Sequence, residues 1–225
     1  MKRINTPELL DTDTCPPEEV EISLRDLGRI NRWFGGVATS VELVKRVARA
    51  TGSQNISLLE VASGPGEVPG IVQAKVARHG ISLKVTLVDR ASTHLRKSSR
   101  AIAADALSLP FSDGAFDVVS CNLFAHHLEP DELIRFIKEG LRVSRTAVVI
   151  NDLVRHRGHL MLVYVGFLFM RCHVSRVDGL ASVRRAYIPD EIQKIIASGF
   201  PPSSAPKLEI FRRPIFRMGI IVWKP

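Results

Sequence analysis

The sequence predicts a single α/β domain with a mostly parallel sheet, and three observations support this prediction. Short apolar runs alternate along the chain with segments whose apolar residues recur at helical spacing. A glycine turn follows the first run, and acidic residues end the next two, where parallel strands would bring them to one edge of the sheet. With 225 residues, 45% of them hydrophobic, the chain can bury one sizeable core and has little room for two.

The first strand and its turn lie in the segment LLEVASGPGEVPG. Ser57 to Val61 is short and apolar, and apolar residues at helical spacing follow from Val68 to Val76. Because Gly64 and Gly66 lack a Cβ, the backbone there can adopt positive φ and a ligand can approach it closely. The next helix begins with free N–H groups and the positive end of its dipole. We therefore expect polar or anionic ligand groups to bind at this turn.

Two interpretations of the turn compete. The dinucleotide-binding fingerprint requires a third glycine at the position of Pro69. The order acid-x-small-x-Gly-x-Gly, in which Ala62 follows Glu60, instead resembles the first motif of class I S-adenosylmethionine-dependent methyltransferases, although Ala62 replaces the usual first glycine. For the turn alone, an ordinary strand-to-helix connection is the alternative.

The later elements follow in the order that this resemblance implies. Val85 to Val88 is a second strand that ends in Asp89, 23 positions after Gly66 and near the spacing of about 20 for a ribose-binding acid. Further elements are a third strand at Ala101 to Ala106, a fourth at Phe116 to Cys121, an amphipathic helix at Pro130 to Arg142, a fifth strand at Thr146 to Ile150, and two closing strands in KLEIFRR and IFRMGIIVW.

From about Thr39 to its C-terminus the chain resembles class I methyltransferases, most closely the ubiquinone and menaquinone methyltransferase-like branch. The resemblance implies a Rossmann-like methyltransferase fold: a seven-stranded, mostly parallel sheet with an antiparallel last strand, helices on both faces and a helical insertion after strand 5. It implies S-adenosyl-L-methionine as the cofactor. We expect an N-terminal arm and cap helix over 1–38 and one methyltransferase domain over 39–225, with the insertion at about 153–188.

The resemblance also assigns a cofactor site. Its expected residues are Glu60, Ala62, Gly64 and Gly66 around the methionine part, Asp89 with Arg90 at the ribose, Asp105 and Ala106 at the adenine, and Asn122 on the floor where cofactor and acceptor meet.

An oxygen acceptor must lose a proton during methyl transfer, and histidine titrates close to the working pH. His126 and His127, after the fourth strand, are the first candidates, with His156 and His159 in the insertion as others. Asn151, at the tip of the fifth strand, faces the same crevice. Capping or packing is the alternative for the histidine pair.

The residues of the insertion indicate which class of acceptor the protein binds. Its apolar run at 160–170 is too short to cross a bilayer, which needs about 20 residues. A buried helix is one interpretation, and a helix that lies on a membrane surface or over a lipophilic pocket is the other. The candidate acceptor-binding residues are Trp33, His156, Arg185 and Tyr187. We expect a small hydrophobic acceptor, phenolic or quinone-like, with O-methylation favoured over C-methylation.

Charge and cysteine content limit the other functions. The net charge of +8 is compatible with RNA methylation, but the basic residues are dispersed and lack interleaved aromatic residues, which argues against a nucleic-acid partner. A non-catalytic subunit that retains the cofactor fold is a further alternative. Three widely spaced cysteines indicate neither a zinc site nor a disulfide framework, so we expect no metal and a cytoplasmic protein, with peripheral membrane contact and oligomeric state left open. The N-terminus shows no signal peptide, and we expect a loose arm up to about Pro17.

Overall fold

The computed structural model describes residues 1–11, 15–93, 95, 101–168 and 170–225. Its helices are α1 Pro17–Trp33, α2 Gly36–Thr51, α3 Glu67–Ala77, α4 Pro130–Val143, α5 Arg157–Gly166, α6 His173–Arg185 and α7 Pro189–Gly199. Its strands are β1 Asn55–Val61, β2 Ser82–Asp89, β3 Ala101–Ala103, β4 Phe116–Asn122, β5 Ser144–Leu153, β6 Leu208–Arg213 and β7 Arg217–Trp223.

Within these residues, seven strands form one sheet in the order β3-β2-β1-β4-β5-β7-β6. Among these strands β7 runs opposite to the other six, since it pairs antiparallel with both β5 and β6. The parallel pairing of β1 to β5 brings their carboxyl ends to one edge of the sheet. The predicted seven-stranded, mostly parallel sheet with an antiparallel last strand is confirmed. The edge at which β1, β2, β4 and β5 end is called the carboxyl edge below.

Alternate residues of the strands pack into separate cores on the two faces of the sheet, as the period of two in a strand requires. One face packs on α2 and α3, with a core that includes Leu58, Val149, Val44 and Val72. The other packs on α4 and α7, with a core that includes Leu59, Ile150, Phe136 and Ile192. A side chain at the end of a strand is therefore directed toward one helical layer or the other.

The N-terminal residues 1–11 pack on the domain, where the sequence predicted a loose arm. The Arg3 guanidinium donates to both carboxylate oxygens of Glu129, at 3.1 and 3.0 Å, and Glu8 is only 7% exposed. Such pairings join residues more than a hundred positions apart, so no local sequence pattern reveals them. Helix α2 runs through residues 38 and 39, where we placed the start of the domain, and that boundary stays a prediction.

The insertion contains α5 and α6, and α5 differs from the helix expected over 160–170. It begins at Arg157 and ends at Gly166, and residue 169 lies outside the described residues. Apolar side chains on its outer side are exposed, among them Met161, Tyr164 and Val165. Full burial, one of the two interpretations of this run, is therefore wrong. Among the described helices, none has both the length and the apolar content needed to cross a membrane.

Two glycine-to-alanine substitutions should have opposite effects on stability. A Cβ at Gly140, in α4, would lie 2.7 Å from Val148 Cγ2, so we expect Gly140→Ala to lower the free energy of unfolding by about 1–3 kcal/mol. A Cβ at Gly70, in α3, would meet no described atom within 4 Å. Gly70→Ala should therefore raise the free energy of unfolding by about 0.5–1 kcal/mol, through its better helix propensity. Urea denaturation measures the free energy of unfolding of both variants. Equal changes for Gly140→Ala and Gly70→Ala would contradict the packing of α4 on β5.

Candidate functional site at the carboxyl edge

The turn between β1 and α3 has the backbone conformation that its glycines allow. Gly64 has φ +51° and Gly66 has φ +73°, and Ala62 also has a positive φ. A Cβ on Gly66 would lie 2.5 Å from Leu87 Cδ1, and the positive φ at this position itself favours glycine. A Cβ on Gly64 would meet no atom of the described residues within 4 Å. The backbone at Gly64 thus borders open space in which a ligand can approach it.

Asp89 ties the end of β2 to the glycine turn. Its carboxylate accepts hydrogen bonds from the Gly64 N–H (2.8 Å) and from the Ala91 N–H (3.0 Å). The neighbouring Arg90 is exposed. Asp105, after β3, is also exposed, and its Oδ1 accepts from the Leu107 N–H at 2.9 Å, which shapes the turn at Ala106.

A buried polar network connects β1, β4, β5 and α2. Asn122 Nδ2 donates to Glu60 Oε1, and Asn122 Oδ1 accepts from Ser40 Oγ (2.6 Å) and from Asn151 Nδ2 (2.7 Å). Asn151 Nδ2 also contacts the Gly36 carbonyl at 2.7 Å. The structure therefore brings three of the predicted site residues, Glu60, Asn122 and Asn151, into one network facing α2.

Burial controls the ionisation of Glu60. The side chain is 2% exposed, and burial raises its pKa to about 7 although hydrogen bonds from Asn122 and Ser120 act to lower it. Asn151 Oδ1 is buried and has no hydrogen-bond partner among the described residues. The network thus contains a buried acceptor atom that none of the described residues satisfies.

His126 is enclosed by carboxylates. Its Nδ1 lies 2.7 Å from Asp152 Oδ1, and its Nε2 lies 3.3 Å from Glu8 Oε1. Burial lowers the pKa of His126, but the two carboxylates outweigh burial and raise the pKa to about 10. An imidazolium held in this way is not a neutral base, so the arrangement does not support the catalytic role expected for His126.

His127 is also covered by the N-terminal arm. Its Nδ1 lies 3.0 Å from Asp11 Oδ2, and its Nε2 lies 3.7 Å from Glu8 Oε2. The histidine pair thus packs against arm residues, which is the alternative that the sequence left open. Glu8 and Asp11 were missed in the sequence analysis, although two carboxylates three positions apart in PELLD could have indicated a shared face.

A pocket open to solvent, called the cavity below, lies beside the end of β5, between α1 and α5. Its lining is mostly apolar and includes Ile30, Trp33, Phe34, Leu153, Leu162 and Val163. Asp26 and Arg29 also line it and pair with each other. The inner side of α5 therefore covers a lipophilic pocket, as one of the two interpretations of the apolar run proposed.

Arg217 and His159 are the other polar side chains of this cavity. Arg217 is 1% exposed, and it donates to Asn31 Oδ1 (3.0 Å) and to the Phe34 carbonyl (3.3 Å). Its Nη1 is buried with no hydrogen-bond partner among the described residues. Burial lowers the pKa of Arg217 to about 10, so the guanidinium remains charged at neutral pH. An arginine inside the apolar strand RMGIIVW was the signal that the sequence analysis missed.

His159 is a neutral histidine in a fixed tautomer. Burial lowers its pKa to about 4. Its Nδ1 lies 3.1 Å from the Val154 carbonyl, which only accepts hydrogen bonds, so Nδ1 carries the proton and Nε2 is the basic nitrogen. His159 was a secondary candidate for the base, and the structure places it in the cavity.

The structure brings together only part of the expected acceptor-binding set. Trp33 lines the cavity, and His156, Arg185 and Tyr187 do not. His156 accepts from the Gly158 N–H at the start of α5. Arg185 bonds to Asp11 and to the His127 carbonyl, and the Tyr187 hydroxyl donates to the Leu128 carbonyl. The hydrogen bonds of these three side chains stabilise the insertion and the arm. The three side chains are therefore engaged outside the cavity.

Comparisons with known proteins agree with the fold. A family model described as a methyltransferase domain matches residues 59–149. No curated protein sequence matches the chain. The plantazolicin methyltransferase BpumL in complex with SAH is 12% identical, with a TM-score of 0.70 over 96% of this chain and 93% of that chain.

Two further solved structures show the same architecture. A SAM-dependent methyltransferase from Aquifex aeolicus is 14% identical, with a TM-score of 0.60 over 94% of this chain and 100% of that chain. Magnesium protoporphyrin IX methyltransferase from Synechocystis PCC 6803, with bound SAH, is 12% identical, with a TM-score of 0.52 over 96% and 91% of the respective chains.

The substitution Glu60→Gln should remove a pH-dependent loss of stability. The pKa of Glu60 rises from 4.5 to about 7 on folding, so between these values the folded chain binds more protons than the unfolded chain. The free energy of unfolding of the wild type should then fall as the pH rises from 4.5 through 7, by up to about 3 kcal/mol. Denaturation between pH 4.5 and 8 should give a flatter profile for Glu60→Gln and a wild-type profile for the exposed control Asp113→Asn. Parallel profiles for wild type and Glu60→Gln would contradict the burial of this carboxyl group.

Proposed function

We propose that this S-adenosylmethionine-dependent methyltransferase acts on a small hydrophobic acceptor with an acidic oxygen, such as a phenol or a quinone-like compound, and methylates that oxygen. The observation that carries the proposal is the apolar cavity beside β5. There Arg217 Nη1 is buried without a hydrogen-bond partner among the described residues, and His159 has a basic Nε2. A lipophilic ring fits the lining, and an acidic oxygen fits the two polar side chains.

The glycine turn and the adjacent strand ends fit the cofactor. Gly64 borders open space, and Asp89 lies directly beside the turn. We assign Glu60, Ala62, Gly64 and Gly66 to the methionine part, Asp89 and Arg90 to the ribose, Asp105 and Ala106 to the adenine, and Asn122 to the floor. S-adenosylmethionine supplies a methyl group on a cationic sulfur, which a nucleophile attacks in line. The work of the chain is therefore to align the acceptor and to exclude water.

The acceptor end of the cavity combines a base with an anion-binding group. His159 Nε2 can take the proton of a phenolic hydroxyl, and its low pKa keeps it unprotonated above about pH 4. The Arg217 guanidinium can stabilise the oxyanion that forms, through a charge-assisted hydrogen bond from Nη1. Trp33 forms an aromatic wall for the ring. This combination favours O-methylation, since the base and the guanidinium would both act on the oxygen that attacks the methyl group.

Other features support an apolar acceptor rather than a nucleic acid. Several arginines pair with carboxylates and do not form a free basic surface, including Arg46 with Glu42, Arg142 with Glu139 and Arg145 with Asp117. The similar solved structures are named for plantazolicin and for magnesium protoporphyrin IX. The exposed apolar side of α5 supports contact with a membrane surface, and the free cysteines support a reducing cytoplasm.

Methyl transfer from labelled S-adenosylmethionine to components of a host-cell extract tests the proposal. We expect label in the organic-soluble fraction, resistant to ribonuclease. With the acceptor isolated, His159→Gln should lower kcat about 100-fold and leave the dissociation constant for S-adenosylhomocysteine unchanged, because only the base is lost. His173→Gln is the matched control, since His173 is an exposed histidine of the same insertion outside the cavity, and it should retain wild-type kcat.

Three results would contradict the proposal. Label that disappears on ribonuclease treatment would identify RNA as the acceptor. Wild-type kcat in a folded His159→Gln variant would place the base elsewhere. Normal cofactor affinity with no transfer to any component of the extract would favour a non-catalytic binding subunit.

A further inference from the structure

We propose that Glu8, His126 and His127 form a binding site for a divalent transition-metal ion, which fixes the N-terminal arm to the domain. One ligand atom from each of these residues can be chosen so that all three lie within 4.8 Å of one another. Glu8 Oε1 is 3.3 Å from His126 Nε2, and Glu8 Oε2 is 3.7 Å from His127 Nε2. Ligands about 2.0–2.2 Å from a tetrahedral ion are about 3.3–3.6 Å apart, so the three groups can surround one ion with small side-chain shifts.

The second nitrogen of each histidine provides an independent argument. His126 Nδ1 lies 2.7 Å from Asp152 Oδ1, and His127 Nδ1 lies 3.0 Å from Asp11 Oδ2. Metal-binding histidines typically donate the remaining ring N–H to a carboxylate, which fixes the tautomer and the ring orientation. Both histidines have this partner, and both direct Nε2 toward the same carboxylate of Glu8.

The donor set indicates the class of ion. Two imidazoles and one carboxylate suit zinc and its first-row neighbours, whereas magnesium and calcium prefer oxygen ligands alone. The ion would replace the proton between His126 Nε2 and Glu8 Oε1. In the alternative arrangement, the proton stays between His126 Nε2 and Glu8 Oε1 and no ion binds. A metal titration distinguishes these two arrangements.

The position of Glu8 explains what the ion would do. His126 and His127 follow β4, and Glu8 belongs to the arm. Within the cluster, Glu8 also accepts from Ser182 Oγ at 2.6 Å, which adds a contact to α6. An ion at this point would therefore join the arm and the carboxyl edge of the sheet, which are linked here through side chains. Asp152, the partner of His126, also raises the pKa of Arg217 in the acceptor cavity through its charge.

Cobalt titration of the full chain, after treatment with a chelator, tests the site. We expect one equivalent of Co²⁺ to bind with visible absorption bands, and Zn²⁺ to displace it. His127→Gln and Glu8→Gln should weaken binding more than about 100-fold, because loss of an outer-shell partner alone costs about 10–100-fold. Asp11→Asn, which removes only an outer-shell partner, should weaken Co²⁺ binding by about 10–100-fold. His79→Gln, which removes an exposed histidine elsewhere on the surface, should bind like the wild type.

A second readout guards against misfolded variants. Zn²⁺ should raise the Tm of the wild type and of His79→Gln but not that of His127→Gln, whose circular dichroism should match the wild type. The proposal is overturned if the wild type binds no stoichiometric metal, or if His127→Gln binds with unchanged affinity. Because these measurements need neither cofactor nor acceptor, their failure would leave the proposed methyl transfer untouched.

Discussion

The end of β5 determines how the carboxyl edge is divided, because consecutive side chains of a strand face opposite sides of the sheet. Asn151 faces α2 and joins Asn122 in the network that holds Glu60. Asp152 faces the other layer and holds His126 beneath the arm. Leu153 lines the cavity under α5. Three successive residues thus belong to the buried network around Glu60, the contact with the arm and the lining of the apolar cavity.

Charge balance connects these regions. Arg217 is buried in the cavity lining, and the negative charge of Asp152 opposes the effect of burial on its pKa. Asp152 itself is held ionised by His126, although burial acts to raise its pKa. A guanidinium whose Nη1 has no partner among the described residues can therefore remain charged in an apolar pocket, where an isolated charge would be costly. The same carboxylate thus acts on Arg217 in the cavity lining and holds His126 beneath the arm.

The sequence predicted the sheet and the glycine turn because both depend on local patterns: Val85 to Val88 is apolar and ends in an acid, and Gly64 and Gly66 mark a tight turn. It could not predict which element covers a strand end. His126 and Glu8 are 118 positions apart, and nothing in their spacing relates them. His156 and His159 look equivalent in sequence, but the former is exposed and only the latter lines the cavity. Trp33 was expected near the acceptor only through the resemblance to methyltransferases, and it lines the cavity.

We place the acceptor in the cavity between α1 and α5, beside the cofactor. A crystal structure of the protein with S-adenosylhomocysteine tests this placement most directly. We expect the ligand to contact Gly64 and Asp89 and its sulfur atom to face the cavity lined by Trp33, His159 and Arg217. A sulfur atom directed away from that cavity, or separated from it by packed side chains, would contradict the placement.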